Sequence, residues 1–161
     1  MKPCTKEESF MVIGMLGIPG DTHPDISERD AAAVVRLLKQ LNPKAPDFAR
    51  HGVETQLARI NQNGGVAVIR DNGGDIVAMG TWRVVPTLMR TETLVRDLVV
   101  DQNHPEWQRF LRELLQYLVN RAKSAGAERI DLTWNETRLG HEIYRELGFT
   151  EPNTRLLRLM L

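Results

Sequence analysis

Cysteine is nearly absent: Cys4 is the only one in 161 residues, which excludes an internal disulfide framework and a cysteine-built zinc cage and fits a reducing compartment such as the cytoplasm. An excess of either charge is also missing. Lysine and arginine number 21, aspartate and glutamate 21, so no global field draws in nucleic acid or an anionic membrane, and any anion site must be local. Long apolar runs are lacking too. The longest, Phe10 to Ile18, is too short to span a bilayer. It follows a stretch in which Lys2 and Lys6 are balanced by Glu7 and Glu8, so it reads as a strand and not as a secretory signal. Catalytic strings are missing as well. With no Gly-x-Ser-x-Gly elbow, Walker A string or Gly-x-Gly-x-x-Gly after a strand, serine hydrolase, P-loop and Rossmann readings lose their warrant. His104-Pro105-Glu106 matches half of a zinc-deaminase signature, but the Pro-Cys-x-x-Cys half has no counterpart, and no metal site is expected.

What is present describes one ordinary globular domain over 1–161, 42% apolar and 26% charged, in which residues 1–25 form an extension or a displaced first strand. Ser27-Glu28-Arg29-Asp30 resembles a capping box, and Ala31, Val34, Val35, Leu38 and Leu41 then recur on one helical face until Asn42-Pro43. Phe48 to Ile60 repeats the pattern more weakly. Val66 to Ile69 and Ile76 to Val85 form a hairpin across Asp71 to Gly74. A third strand, Thr93 to Val100, sets Val95, Asp97 and Val99 on one face and Leu94, Arg96, Leu98 and Val100 on the other. The next helix has the clearest stripe, Trp107, Phe110, Leu111, Leu114, Leu115, Leu118, Val119 and Ala122, with Pro105 at its first position and Gly126 past its end. A strand from Arg129 to Trp134, a helix from Glu136 to Leu147 and an extended segment from Phe149 to Leu161 complete the order. Strand-helix-strand between Val100 and Ile130 implies a right-handed crossover and one parallel pair in an otherwise antiparallel sheet.

From Ile26 to Phe149 this order resembles the GNAT superfamily of acyl-coenzyme A-dependent N-acyltransferases. The strings that carry the resemblance are Thr93 to Asp101 as central strand, Leu114-Leu115 through Gly126-Ala127, and His141-Glu-Ile-Tyr-Arg-Glu-Leu-Gly-Phe149, similar to the family's tyrosine, three residues, Gly-Phe ending. The resemblance implies an α/β fold with a mixed, mostly antiparallel sheet of six or seven strands, a splayed central parallel pair and four helices. It implies acetyl-CoA, or another acyl-CoA, as donor and a small-molecule or peptide amine as acceptor. The thioester would lie against Leu98, Val99, Val100 and Asp101, Tyr144 would protonate the departing thiolate, and the central-strand carboxylate Asp97 would take the amine's proton.

The resemblance fails at one place. The family's glycine loop, whose amides grip the donor's diphosphate at a helix start, aligns with Trp107, Arg109 and Leu111, and no glycine remains. A helix running through this segment leaves few free amides, and Glu106 stabilises the helix start while repelling phosphate. Gln108, Arg109 and Arg112 are therefore the residues expected to rebuild the grip with charge-assisted bonds, or else solvated side chains on the polar face. Asn135 and Thr137, after the strand, either hold the pantetheine arm or cap a helix. Asp97 is otherwise a strand aspartate paired with Arg83, Arg90 or Arg96, and His141 a water-linked base or a surface residue. Arg83 and Arg90 flank a connection that would suit an anionic acceptor or simply be solvated. Phe10 to Ile18 is a displaced strand or a segment that pairs with a second copy, making a homodimer. The competing function is a binding or assembly module of the same fold, in which Trp107 and Leu111 fill a former cofactor slot.

Overall fold

A computed structural model describes residues 11–18, 20–135 and 138–161. Cys4, Glu136 and Thr137 lie outside the described residues. The elements run β1 (Val12–Met15), α1 (Glu28–Leu41), α2 (Arg50–Ile60), β2 (Gly64–Arg70), β3 (Ile76–Pro86), β4 (Thr91–Val100), α3 (Trp107–Ser124), β5 (Arg129–Leu132) and α4 (His141–Glu146). The strands form one sheet in chain order, β1-β2-β3-β4-β5. Only β4 and β5 are parallel; the other pairs are antiparallel. The segment read as a displaced strand pairs within its own chain, Val12 opposite Arg70 and Met15 opposite Ala67.

Local chemistry accounts for the elements. Ser27 Oγ accepts the Asp30 N–H at 3.0 Å, the hydroxyl half of the expected capping box. The carboxylate half has another use: Asp30 takes a two-pronged bond from Arg70, at 2.7 and 2.8 Å, which clamps the first turn of α1 to the end of β2. This contact holds the Asp30 carboxyl below its usual range, with the Arg70 hydrogen bond the largest influence and burial opposing it. A carboxyl depressed on folding contributes stability that is complete above its unfolded value, about 3.9, and is lost as pH falls through the lower folded value. Asp30→Asn is thus expected to cost about 1–2 kcal/mol at pH 7 and progressively less in acid. Urea titrations from pH 7 to pH 2 check this; a cost independent of pH contradicts it.

The sheet is covered on both faces. Alternation in β2 sends Ala67 and Ile69 toward α3, where Phe110, Leu114, Leu115 and Leu118 complete one core. It sends Val66 and Val68 toward α1 and α2, where Val34, Leu37, Val53 and Leu57 complete the other. Gly64 is needed where β2 meets β3, since a Cβ there would lie 1.9 Å from the Trp82 carbonyl oxygen.

Three expectations need correction. The sheet has five strands among the described residues, not six or seven. Residues 151–161 run without strand pairing, leaving Leu156, Leu157, Leu159, Met160 and Leu161 exposed; β5 is only four residues long, and Pro152 has no N–H to give a ladder. The helix expected from Glu136 begins at His141, behind Gly140 in the left-handed region at φ 94°, a conformation that breaks a helix.

Candidate active site

The sheet opens where β4 and β5 part. Their parallel pairing runs from Glu92 opposite Arg129 to Val95 opposite Leu132 and ends there. Beyond that point β4 stays with β3, Val99 opposite Met79 and Val100 opposite Ala78. Between the two regions β4 carries one extra residue, and Asp97 sits in the left-handed region at φ 48°. Aspartate is among the few residues that tolerate this conformation. The bulge also overturns the expected alternation. Val95 packs with Leu98 and Val100 toward α3, whereas Val99 joins the opposite core.

The gap contains a cavity of about 260 Å³ lined by Leu98, Val99, Val100, Trp107, Leu111, Asn135 and Tyr144, with Gln40, Leu41, Gln102, Arg138 and Leu139 completing its wall. Sequence reasoning named Leu98 to Val100, Asn135 and Tyr144 for this place. Asp101 is turned elsewhere. It binds Arg36 and accepts from Gln40 Nε2 at 3.1 Å and from the Asn103 N–H at 3.1 Å, tying the exit of β4 to α1. Burial works to raise the Asp101 pKa, and the bonds from Gln40, Asn103 and Arg36 outweigh it, so the carboxyl stays below its usual range.

The residues expected to rebuild the diphosphate grip do not line the cavity. Arg109 bonds Glu106 at 2.9 Å, Arg112 bonds Glu146 of α4 at 2.6 Å, and Gln108 is exposed. Pro105 lies in the turn before α3, not at its first position. Two amides at this helix start are already used: Glu106 N–H donates to His104 Nδ1 at 3.2 Å, and Trp107 N–H to the His104 carbonyl at 3.1 Å. Trp107 and Leu111 reach across to the turn before α4. A Cβ on Gly140 would lie 2.5 Å from Leu111 Cδ2 and 3.5 Å from the Trp107 ring. Bulky side chains packed on a glycine thus stand where the resemblance implies an open loop.

Arg138 is the cation on the cavity wall, a residue that sequence reasoning passed over because it assigned 136–147 to a helix. Its backbone N–H donates to the Asn135 carbonyl at 2.9 Å, closing the turn that presents it. Gly140, four residues before the cavity-lining Tyr144, was the signal that the helix begins later. Tyr144 is half-buried and packs edge-on against Phe149, ring centroids 6.2 Å apart. Burial pushes its phenol pKa up, while the nearby Arg138 charge works against the rise. A phenol so placed keeps its proton at neutral pH.

Asp97 faces the α1–α2 side of the sheet, where its Oδ2 accepts from the Thr81 hydroxyl at 3.3 Å. Of the arginine partners considered for it, Arg90 pairs with Glu92 and Arg96 with the Val95 carbonyl. His141 stacks on Trp134 at 4.3 Å, lining a groove beside β5. No helix among the described residues is long and apolar enough to cross a membrane, and the described residues contain no group of His, Cys, Asp and Glu fit for a metal.

Comparison with known proteins agrees with this architecture. No curated protein matches the sequence. Among solved structures, a Trypanosoma brucei acetyltransferase superposes with a TM-score of 0.69 at 22% identity, covering 94% of this chain and all of its own. Glucosamine-6-phosphate N-acetyltransferase from Arabidopsis thaliana gives 0.74 at 16%, with 93% and 98% covered. An aminoglycoside acetyltransferase from an uncultured soil metagenomic sample gives 0.72 at 18%, with 94% and 97% covered. At these identities the likeness is one of fold. The sequence itself matches the Acetyltransferase (GNAT) family over residues 32–149, well over half its length, and the chain belongs to that family.

Proposed function

We propose that this protein is an N-acetyltransferase that moves an acetyl group from acetyl-CoA to a primary amine by direct attack. The observation that carries the reading is the separation of β4 from β5 beyond Val95 and Leu132, with residues 98–100 and Tyr144 on one cavity. The residues present fit the thioester and pantetheine end of the donor: an unpaired strand edge for the arm, Asn135 and the polar groups of Gln40, Gln102 and Tyr144 for its amides, and Leu98, Val99 and Val100 along one wall. They do not offer the amide cradle at α3, so Arg138 takes the diphosphate as a charge-assisted partner. When bound, acetyl-CoA supplies an acyl carbon activated as a thioester.

The chain's own groups move the protons. A primary ammonium must lose one proton before its nitrogen can attack and a second once the C–N bond has formed and the C–S bond has broken. The Asp97 carboxylate, directly or through water, takes the first on its way to solvent. The Tyr144 Oη donates its proton to the departing sulfur and is recharged by the second. No cysteine among the described residues offers a covalent route.

Titration of the protein with acetyl-CoA, read by calorimetry and thermal unfolding, tests the reading. Ligand at a hundred times its dissociation constant stabilises the folded state by about 2.7 kcal/mol. No heat and no shift at millimolar concentration would sink the proposal. It would favour the second reading, a binding or assembly module, for which the packing of Trp107 and Leu111 on Gly140 is the supporting observation. Where binding is seen, Arg138→Ala is expected to weaken acetyl-CoA by about 10- to 100-fold and to leave dephosphorylated pantetheine thioesters unaffected. Equal losses for both ligands would deny Arg138 a phosphate role.

A further inference from the structure

A second cavity, of about 390 Å³, lies between α1, α2 and the opposite face of the sheet. Its volume falls in the range of small-molecule sites, about 300–1,000 Å³. Its wall is mostly apolar, with Leu38, Val53, Leu57, Ile60, Val66 and Met79 among its aliphatic side chains. Among the described lining residues one carboxylate, Asp97, and one cation, Lys44, stand at its rim, both exposed. Asp97 is presented by the bulge in β4 and steadied by Thr81. Leu41 lines both this cavity and the one between β4 and β5, and Asp97 directly precedes Leu98. Leu41 thus stands between the two cavities, and the bulge sets Asp97 beside one and Leu98 beside the other.

We infer that this second cavity seats the acceptor, and that the acceptor is a primary amine on an apolar body, its ammonium against Asp97 and its hydrocarbon among the α1 and α2 side chains. The inference rests on the acyl-transfer reading for the word acceptor; the site and its ligand chemistry rest on the cavity itself. A single carboxylate matches a single ammonium. A polycationic ligand would leave charges unpaired and meet Lys44, and a polyhydroxylated one would bury hydroxyls against aliphatic walls without partners. A phosphorylated acceptor would set its anion beside Asp97. The apolar wall rewards added methylenes, each buried CH₂ being worth about a fourfold gain in affinity.

Calorimetric titration of the full chain with benzylamine, 2-phenylethylamine and 4-phenylbutylamine tests this directly. Dissociation constants are expected to fall about fourfold per methylene. Asp97→Asn retains a residue that accepts the left-handed backbone and is expected to weaken 4-phenylbutylamine at least tenfold. 4-Phenylbutanol should bind the unaltered protein correspondingly worse than the amine. Affinity that does not change with chain length, or that is the same for amine and alcohol, overturns the inference. The acetyl-CoA titration separates the two claims. Donor binding with no chain-length dependence ends this inference alone, whereas amine binding without donor binding ends the transferase reading and leaves a site for apolar amines.

Discussion

Tyr144→Phe is expected to lower kcat by about 10²- to 10⁴-fold, the usual contribution of a positioned general acid, while leaving the dissociation constant of acetyl-CoA within about twofold. The substitution removes one oxygen and keeps the ring, so the edge-on contact with Phe149 survives and the fold has no reason to change. Burial holds the phenol in its protonated form, the form a departing thiolate needs. Rapid-quench measurement of the chemical step, beside donor titration, separates chemistry from binding. An unchanged kcat removes Tyr144 from the reaction; equal losses in kcat and donor affinity make it a packing residue on the cavity wall.

Phe110→Ala is expected to cost about 3–5 kcal/mol of folding stability, the range for a fully buried aromatic side chain. Phe110 has no exposed surface and sits in the core between α3 and the sheet. Its ring also meets that of His104 at 4.7 Å, and His104 in turn accepts the Glu106 and Trp107 amides. Removing the ring therefore loosens the turn that closes the helix start as well as the core beneath it. Denaturant titration at neutral pH checks the magnitude. A cost near 1 kcal/mol would mean that the side chains around Phe110 collapse into the space, which the close packing of Leu114, Leu115 and Leu118 argues against.

Much of this architecture is legible from short-range patterns. The Ser27 cap, the β2–β3 hairpin and the long α3 stripe each follow from interactions a few residues apart and appear where their pattern puts them. The buried face of α1 is instead turned toward Ala33 and Leu37, leaving Val35, Leu38 and Leu41 partly buried. The parallel crossover follows from strand, helix and strand in succession. What pattern reading missed depends on distant partners or on single backbone angles. Nothing in Thr93 to Val100 announces an extra residue at Asp97, because the bulge is defined only by its register against Met79 and Thr81. The same slip moves Val95 to the face opposite Val99. Arg138 was passed over because Gly140 was read as a helical residue, when its positive φ ends the turn and starts α4. Arg109 and Arg112 were reasonable candidates by position, yet glutamates at 106 and 146, one of them 34 residues away, hold them instead.

The chain-order sheet has a bearing on how the molecule assembles and comes apart. Strands β2 to β4 are joined by a tight hairpin and a short connection, contacts of low sequence separation that close quickly. By contrast, β5 and α4 dock only after α3 has crossed the sheet, and β5 pairs on one side alone, over four residues. The meander is therefore expected to protect its amides longest in hydrogen exchange, with β5 and α4 opening first. The donor cleft, walled by β4 of the slow-opening part and by the turn and helix that follow β5 in the fast-opening part, would then be the seam along which the native protein breathes.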